Sequence, residues 1–526
     1  MDSQENLQVE DPSSRPKHVV VVLLDSLNRH LLGAYGGTEF TTPNLDRFAE
    51  KAVVFENHHT GSLPCMPARH DLLVGALDFP WRPWGSVEIW EDAITFALRQ
   101  AGVTTMLVSD HPHLFECGGE NYHIDFDAWE YVRGHENDPW KTRPDPSWIG
   151  TPALPVDEPR RGHFKYQDSR TWFKSEEDFP GPQTMQAAVR WVITNAGHHE
   201  RSLLVVDEFD PHEPFDTPEP WASMYREQGD DPWMIWPPYV IDGLKNGLIT
   251  EEEGRSLRAA YGAKLSMIDH WFGKLLDAID SSPDSDETAV IICTDHGHYL
   301  GEFDVWGKPG FPIHNTLGHI PMMIRWPGIE PRREQALTTT VDIHATLCDI
   351  YEISVDHRTH GRSLVPLVKQ KVSGVRDHCL SGYWGREVQL VTQDYTYTRG
   401  SVGDGFPLSM WSNRWSTMPV HSRPDIRLPR PDQRAYLDAM PGSSVPVIRQ
   451  PFMQGDFLPF WAYGGLKNEN LLFDRNVDPG ELDNLAAVHG TVQTEIEKSL
   501  VRRLKEALLE INAPEDVLER LGLQTH

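Results

Sequence analysis

Three stretches of consecutive apolar residues, each followed by a carboxylate, organise the chain. Rich in β-branched residues, they cover positions 18–24, 202–206 and 289–293. Such runs are typical of strands that are buried on both faces of a parallel sheet. Asp25 and Asp207 follow the first two strands directly, and Asp295 follows the third after one residue. Because parallel strands end at one edge of a sheet, the pattern predicts an α/β fold with its functional site at that edge.

Helical spacing of apolar residues predicts the elements between these strands. The longest such pattern covers residues 257–279, where apolar side chains recur at 257, 261, 265, 268, 272, 275 and 279. A shorter helix is predicted to begin at residues 42–44, where a threonine precedes a proline. Residues 18–373 are therefore predicted to form one domain, with a large, mostly parallel sheet flanked by helices.

The pattern changes from about residue 374. Short strand-like segments such as 388–392 alternate with turns, and residues 492–509 have the spacing of an amphipathic helix. The stretch of about 400–455 is rich in proline, arginine and tryptophan, which predicts a long inserted loop. We therefore predict a smaller C-terminal α+β domain over 374–526. The polar, acidic residues 1–17 are predicted to be a flexible N-terminus.

Composition and net charge restrict the kinds of molecule that the protein is expected to bind. The 526 residues include 48 Lys and Arg against 78 Asp and Glu, a net charge of -30. Nucleic acids and anionic membranes need a basic surface, so neither is expected as a partner. A small anionic substrate remains compatible, because a local cluster of Arg, Lys and metal can reverse the field in a pocket. With no signal-peptide pattern and no long apolar run, a cytoplasmic location is expected.

One of the five cysteines stands in a distinctive context. Cys65, Pro67 and Arg69 form a Cys-x-Pro-x-Arg segment, and Leu72, Leu73 and Gly75 follow it. The other four cysteines lack the spacing of a metal site or a disulfide framework, and we expect them to be buried thiols. By itself the segment is as compatible with an ordinary buried cysteine at the start of a helix as with a functional cysteine. Proline is favoured in the first turn of a helix.

Further motifs follow in a fixed order along the chain, and they favour a functional Cys65 over an ordinary buried one. Together they resemble the sulfatases of the alkaline phosphatase superfamily over nearly the whole chain. The matching segments are Asp25 with Gly33, Tyr35 and Gly36; residues 42–46; Cys65, Pro67 and Arg69; residues 210–212 with Pro214; residues 294–297 and 300–302; Gly307 and Lys308; residues 320–321, 325–328 and 341–343; and residues 478–481 with 484–485. The resemblance implies an alkaline phosphatase-like α/β sandwich, together with the smaller C-terminal α+β domain.

The resemblance also implies a site and a reaction. A formylglycine (3-oxoalanine), made from Cys65 by a formylglycine-generating enzyme, attacks a small-molecule sulfate ester on one divalent metal ion. The implied catalytic residues are Cys65, Arg69, His113, His212 and Lys308. The implied metal ligands are Asp25, Cys65, Asp295 and His296. Hard oxygen ligands favour Ca²⁺, with Mg²⁺ and Mn²⁺ as alternatives.

Two departures from the family pattern bear on the chemistry. Ser26 replaces the second aspartate of the early acidic pair, as in the phosphonate monoester hydrolases. The Gly-Lys-x-His motif of many arylsulfatases is absent, and residues 109–113 (Ser-Asp-His-Pro-His) stand in its approximate place. His111 or His113 is then the candidate for that position.

Several alternatives stay open at this point. A phosphonate monoester or phosphodiester hydrolase would use the same nucleophile, and Ser26 favours it. A two-metal phosphatase would use Ser or Thr instead, so Cys65 counts against it. A catalytically silent, sulfatase-like binding protein would keep Cys65 unoxidised. The tryptophans around 81–84, 129, 140 and 411–415 fit an aromatic, sugar or choline pocket or the core equally well. The oligomeric state is open, with a homo-oligomer among the possibilities.

Overall fold

The computed structural model describes residues 15–148, 164–226, 234–413, 431–486 and 494–524. The predicted flexible N-terminus therefore lies outside the described residues up to position 14. The strands are β1 His18–Leu24, β2 Val53–His59, β3 Ser62–Leu63, β4 Thr104–Ser109, β5 Ala128–Tyr131, β6 Ser202–Glu208, β7 Val240–Ile241, β8 Thr288–Cys293, β9 Tyr299–Leu300, β10 Val305–Gly307, β11 Met322–Arg325, β12 Arg332–Thr339, β13 Cys379–Tyr383, β14 Val388–Val391, β15 Tyr395–Arg399, β16 Leu408–Ser412, β17 Tyr436–Ala439, β18 Pro446–Phe452 and β19 Asn470–Asp474. The helices are α1 Pro43–Ala49, α2 Cys65–Val74, α3 Ile94–Gln100, α4 Phe164–Arg170, α5 Pro180–Asn195, α6 Glu251–Asp280, α7 Asn315–Gly318, α8 Val341–Tyr351, α9 Val365–Val368, α10 Glu495–Glu510 and α11 Glu515–Arg520.

A large, mostly parallel sheet forms the centre of the molecule. Its strand order is β12-β2-β11-β8-β1-β6-β4-β5. β1 lies between β8 and β6 and pairs parallel with both, and β11 runs antiparallel to its neighbours. The three strands predicted from the apolar runs are thus adjacent at the middle of the sheet. The predicted fold class is confirmed, and the three strand ends meet at one edge.

Alternate residues of β1 enter two separate hydrophobic cores. Val19, Val21 and Leu23 pack with apolar residues of α2, α3 and α8 on one face of the sheet. The intervening residues of β1 pack with α1, α5 and α6 on the other face. This two-sided burial explains why the strand sequence is apolar throughout, without the alternation of a half-exposed strand.

The long helix α6 begins earlier than the apolar spacing predicts. Thr250 caps it by accepting a hydrogen bond from the Glu253 backbone N–H, while the Glu253 side chain accepts one from the Thr250 N–H. This reciprocal capping box satisfies two backbone donors at the helix start. The first turn is polar and therefore carries no apolar periodicity.

A second, smaller sheet has the order β19-β15-β14-β13-β3. Helix α10 covers it, with apolar residues of α10 and α11 forming a third core with β13, β14, β15 and β19. One edge strand, β3, comes from the segment just before Cys65, and Ser62 and Leu63 lie opposite Gly382 and Tyr383. The second sheet is therefore joined to the first through the strand that leads into α2. The division of the chain at residue 374 stays a prediction.

The stretch predicted as a long loop contains regular structure. β16, β18 and β17 form a three-stranded antiparallel sheet in that order, so this part of the prediction needs correction. The strands were not evident from the sequence because their apolar residues pack against distant partners: the Trp411 ring lies edge-on to Trp81, with centroids 5.2 Å apart. Residues 414–430, Trp415 among them, lie outside the described part.

The tryptophans proposed for a pocket are divided between core and surface. Trp81, Trp84 and Trp411 are buried, whereas Trp129 is 47% exposed. Trp140 is partly buried and packs against the core that α6 covers. In the parts of the chain that the structure describes, every helix is too short or too polar to span a membrane.

Candidate active site at the ends of β1, β6 and β8

Helix α2 places Cys65 at its first position, with one residue separating it from the end of strand β3. Pro67 lies in the first helical turn, where its missing N–H leaves no intrahelical bond unmade. Gly75 ends the helix with a φ of 78°, a left-handed conformation that glycine adopts at little cost. Every residue of α2 is buried, and Cys65 is 5% exposed. The Cys65 thiol is thus held at a buried helix N-terminus.

The guanidinium of Arg69 lies one turn after Cys65 and connects three strand ends. Its Nε and Nη2 donate to the Asp207 carboxylate at 3.0 and 2.7 Å. Nη2 also lies 2.9 Å from Asp25 Oδ2, and Nη1 donates to Asp295 Oδ2 at 2.9 Å. Burial alone would lower the pKa of Arg69, but the three carboxylates raise it well above its ordinary value. Arg69 is therefore a permanent cation among three acids.

Four potential metal ligands converge beside this guanidinium. One ligand atom each of Asp25, Cys65, Asp295 and His296 lies within 4.8 Å of the others, and all four residues are buried. His296 Nδ1 faces the Gly297 carbonyl at 2.9 Å, which leaves Nε2 free to act as a ligand, 3.3 Å from Cys65 Sγ. Burial lowers the pKa of His296 to about 4, so the imidazole is neutral.

The pKa shifts of Asp25 and Asp295 indicate that a further positive charge would stabilise this pair of carboxylates. Burial, and then the charge of Asp295, raise the pKa of Asp25 well above its ordinary value. The pKa of Asp295 is lowered, because His296 and Arg69 outweigh its burial. Among the described residues, Asp25 Oδ2 accepts no well-aligned hydrogen bond. Two carboxylates and a neutral imidazole with a free nitrogen are a donor set that fits a divalent cation.

Ser26 and Lys308 adjoin the two aspartates. Ser26 Oγ donates to Asp25 Oδ1 at 2.8 Å, and the Ser26 N–H donates to Asp295 Oδ1 at 3.1 Å. Lys308 Nζ donates to Ser26 Oγ at 3.3 Å. Burial would lower the pKa of Lys308, but surrounding acidic groups raise it well above its ordinary value. Ser26, which replaces an aspartate of the family pattern, thus links the Lys308 ammonium group to the two carboxylates.

His212 lies on the loop after β6 and is oriented by its neighbour in sequence. Its Nδ1 lies 2.8 Å from the Glu213 carbonyl oxygen, so in the neutral ring Nδ1 carries the proton. Burial lowers the pKa of His212 well below its ordinary value. Glu213 accepts a hydrogen bond from the Tyr239 hydroxyl, and its Oε2 lies 3.3 Å from both His212 Nδ1 and His298 Nε2. Burial would raise the pKa of Glu213, but the neighbouring His212 and Lys308 lower it well below its ordinary value.

The structure distinguishes the two histidines of the 109–113 segment. His111 Nε2 lies 3.9 Å from Asp25 Oδ2, and neither ring nitrogen has a hydrogen-bond partner among the residues described. His113 Nδ1 lies 2.5 Å from Glu116, and its Nε2 lies 3.3 Å from Glu136. Burial would lower the pKa of His113, but the two glutamates raise it to about 10. His111 adjoins the candidate metal ligands, whereas His113 lies behind the His111 ring and does not touch them.

Three residues of this site, Glu213, Tyr239 and His298, were not identified from the sequence, and Asp207 was placed at the sheet edge without being given a role. Asp207 ends a predicted buried strand, which was a usable signal. Glu213 occupies the variable position of the His212 motif, and Tyr239 lies outside every motif. Their places depend on tertiary contacts that no local pattern encodes.

Comparison with known proteins places this arrangement in context. The family model described as Sulfatase matches residues 17–353. The choline-sulfatase of Rhizobium meliloti (strain 1021) is 28% identical over 374 residues, which cover 67% of this chain and 71% of the relative. The arylsulfatase of Clostridium perfringens (strain 13 / Type A) is 23% identical over 403 residues, covering 69% and 80%.

Solved structures agree on the fold. The phosphonate monoester hydrolase of Agrobacterium radiobacter superposes with a TM-score of 0.63 at 19% identity, over 95% of this chain and 96% of that one. The alkaline phosphatase-like architecture predicted from the sequence is thereby confirmed. Because the family model covers more than half of the chain, the protein belongs to the sulfatase family of hydrolases.

Proposed function

We propose that this enzyme hydrolyses a sulfate ester with a formylglycine made from Cys65 and one divalent cation held by Asp25, Asp295 and His296. The carrying observation is the position of Cys65. It opens a buried helix, its Sγ lies among the candidate ligands, and Arg69 follows one turn later. Ca²⁺ fits the hard oxygen donors best, with Mg²⁺ and Mn²⁺ as alternatives.

The thiol itself is unsuited to the reaction. Burial, and then the negative charge of Asp25, raise the pKa of Cys65 well above its ordinary value. A protonated thiol is a poor nucleophile and a poor ligand. A formylglycine hydrate would supply one hydroxyl for attack and a second whose deprotonation releases the sulfate. The conversion of Cys65 to formylglycine depends on a modifying enzyme or on oxygen in the host.

The surrounding side chains hold charge where such a reaction needs it. A bound divalent cation would lower the pKa of the attacking hydroxyl and neutralise the ester oxygens. Arg69 Nη1 already donates to the carbonyl oxygen of residue 65 at 3.2 Å, which fixes that residue relative to the carboxylates. Ser26 orients Asp25 through its hydroxyl. We assign Arg69 to the catalytic set for this reason.

Lys308 and His212 are the candidates for assisting the leaving group. A departing alkoxide needs a proton during bond cleavage, which a positioned acid supplies. Lys308 is protonated in the free protein, whereas neutral His212 presents an unprotonated Nε2. We therefore assign the proton donor to Lys308, with His212 oriented beside it by Glu213. His113 is proposed as a cation behind His111.

A phosphonate monoester or phosphodiester hydrolase is the second candidate function. Ser26 supports it, because one metal-binding carboxylate of the family pattern is replaced by a hydroxyl. The likeness to the phosphonate monoester hydrolase of Agrobacterium radiobacter concerns the fold. Choline sulfate is a worthwhile test substrate, since a choline-sulfatase is among the relatives.

Substitution of Cys65, with the mass of the peptide around it, tests the nucleophile. Cys65→Ala should lower kcat by ~10³-fold or more without lowering the melting temperature, and Cys65→Ser should be nearly as damaging because serine cannot expel the sulfate. Cys379→Ala is the matched control, since Cys379 is equally buried but lies in β13.

The assay uses aryl sulfate, choline sulfate, sugar sulfates, a phosphonate monoester and a phosphodiester, with and without a chelator. Chelation should remove activity, and added Ca²⁺, Mg²⁺ or Mn²⁺ should restore it. Retention of most activity by Cys65→Ala would refute the assignment. An unconverted Cys65 in fully active protein would do the same.

A further inference from the structure

A polar cavity of about 250 Å³ lies beside the start of α8 and the end of α10, in contact with the segment before α9. The residues that matter for its chemistry are Thr339, His360, Arg362, Arg376 and Glu510. In a chain with a net charge of -30, a cavity lined by two arginines stands apart from the average surface. None of these residues belongs to the candidate active site.

The two arginines differ in how far their charge is neutralised. Arg376 donates through Nε and Nη2 to the Asp342 carboxylate, which leaves its Nη1 without a hydrogen bond in the described chain. Arg362 uses only its backbone N–H, which donates to Asp342 Oδ1 at 2.8 Å. Its guanidinium forms no ion pair with any described residue. The cavity is therefore lined by the exposed Arg362, whose charge no described residue neutralises, and by Arg376, whose guanidinium is partly engaged.

His360 adds a neutral donor. Its Nδ1 accepts a hydrogen bond from the Leu77 backbone N–H at 2.9 Å, so the ring proton must be on Nε2. Burial, followed by the charges of Arg358 and Arg376, lowers the pKa of His360 to about 3, so the ring is neutral. In the described residues, no acceptor takes up its Nε2–H. The tautomer is fixed with an N–H free for a ligand.

Thr339 supplies an independent indication of a missing partner. It is 2% exposed, lines the cavity, and its Oγ1 has no hydrogen-bond partner within the described residues. A buried hydroxyl without a partner is costly, and such a group commonly marks the place of a bound ligand or water.

Two carboxylates lie near the cavity, and each is paired with an arginine, Glu510 through one of its two oxygens. Glu510 lines the cavity, but its Oε1 accepts a hydrogen bond from Arg503 at 3.1 Å. Asp342 is bound by Arg376. With Asp342 paired to Arg376 and Glu510 paired to Arg503, Arg362 is left as a charged lining side chain without an ion pair to a described residue. The His360 Nε2–H and the Thr339 hydroxyl are donors that also lack partners there. This combination suits a tetrahedral oxyanion, which offers acceptors on every side.

The cavity is separate from the candidate active site. Thr339 ends β12, and two strands, β2 and β11, lie between β12 and β8. At ~4.8 Å between neighbouring strands, the ends of β12 and β8 are about 14 Å apart along the sheet edge.

We propose that this cavity is a second anion site, which binds a small oxyanion, either free sulfate or phosphate or the sulfate or phosphate group of an organic ligand. Arg362 and Arg376 provide the charge, and His360 Nε2–H and the Thr339 hydroxyl complete the donors. The proposal does not depend on the reaction assigned to Cys65.

Calorimetric titration with sodium sulfate and sodium phosphate tests the site in the Cys65→Ala protein. Arg362→Ala should reduce the number of oxyanions bound per chain by one, or weaken that site about tenfold or more, because it removes hydrogen bonds to a charged group. Arg502→Ala is the matched control: it removes the same charge from an exposed position of α10 outside the cavity. Thr339→Val, which keeps the side-chain shape, should weaken the same site several-fold.

Two further measurements complete the test. A sulfated monosaccharide that binds this site more tightly than inorganic sulfate identifies an organic ligand as the occupant, and the reverse identifies the free ion; either result supports the proposal. In protein with Cys65 intact, Arg362→Ala should leave kcat/KM for aryl sulfate unchanged. Binding that is insensitive to Arg362→Ala or to Thr339→Val, or that Arg502→Ala weakens equally, overturns the proposal. Loss of catalysis in Arg362→Ala overturns the separation of the two sites.

Discussion

The Arg69 guanidinium shows how one residue can hold together the ends of three strands. Each carboxylate it contacts lies at the end of a different central strand, and two of them are candidate metal ligands. Asp207 accepts two hydrogen bonds from Arg69 and does not belong to the group of candidate metal ligands. We infer that Asp207 positions Arg69 so that its remaining N–H groups face Asp25 and Asp295.

Replacement of Asp207 tests this positioning role. Asp207→Asn should lower kcat by about tenfold to a hundredfold, the usual effect of losing a partner behind a ligand, and should lower metal affinity as well. Asp78→Asn is the matched control, because Asp78 is equally buried and binds Arg82 through both carboxylate oxygens, at 2.9 and 2.8 Å. Both variants should lose stability, but only Asp207→Asn should lose turnover. Equal kcat values in the two variants would refute the role.

The protonation of Lys308 and His212 leads to a second prediction at this scale. Lys308→Ala should slow alkyl or sugar esters by roughly a hundredfold, while esters with a nitrophenolate leaving group should change little. His212→Ala should show the same trend with a smaller slope, because its neutral ring lacks a proton on Nε2.

The measurement is kcat/KM for both variants across esters of graded leaving-group pKa. A uniform loss on every ester would mean that the two residues bind the anion and do not assist the leaving group. A steeper dependence in His212→Ala than in Lys308→Ala would reverse our assignment of the proton donor.

The sequence predicted this site unevenly, for physical reasons. Asp25 and Asp295 could be placed together because two buried strands deliver them to one edge, and Cys65 and Arg69 share a helix face one turn apart. Glu213 was missed because its role depends on contacts with Tyr239 and His298, which no local pattern encodes. The choice between two nearby histidines depends on side-chain direction, which a sequence does not carry.

At the scale of elements, Asp71 ties helix α2 to strand β3. Its Oδ2 accepts a hydrogen bond from the Ser62 N–H at 2.6 Å, and its Oδ1 accepts one from the Ser62 hydroxyl at 2.8 Å. Burial raises the pKa of Asp71 to about 8. The tie joins the helix that carries Cys65 to the strand that precedes it.

The raised pKa predicts a pH dependence of stability with a definite sign. Between the ordinary 3.8 and about 8 the folded chain keeps this proton while the unfolded chain releases it. The contribution of Asp71 is therefore full below pH ~4 and is lost as the pH rises to about 8, by at most about 1.4 kcal/mol per pH unit.

Asp71→Asn mimics the protonated side chain and should remove this dependence. Denaturant unfolding of both proteins from pH 5 to pH 8 gives the difference in the free energy of unfolding, in which other titrating groups cancel. Relative to wild type, the variant should gain stability as the pH rises. A difference that stays constant across this range would show that Asp71 is ionised in the folded chain.

At the scale of the molecule, the net charge of -30 opposes the approach of an anionic substrate. Salt screens this repulsion, with a Debye length of ~10 Å at 0.1 M. We expect kcat/KM for an aryl sulfate to rise a few-fold between low salt and about 0.15 M NaCl. Choline sulfate, a zwitterion, should show a much smaller change. A fall in kcat/KM for the anion would mean that the cations of the pocket dominate the encounter.

The large sheet could be predicted from sequence because its central strands are apolar on both faces. The three-stranded sheet within residues 408–452 could not, because its strands are short and pack against residues such as Trp81 that lie hundreds of positions earlier. The domain boundary, a cytoplasmic location and the oligomeric state stay predictions.

The pairing of β3 with β13 has a consequence for how the protein matures. Leu63 finds its partner Tyr383 only after roughly 320 further residues have been synthesised. At ~5–20 residues per second, this takes from about a quarter of a minute to about a minute. Once it has left the ribosome, the segment around Cys65 stays without its partner strand for the rest of that interval. We expect a modifying enzyme to reach the thiol during this interval, before the finished fold encloses it.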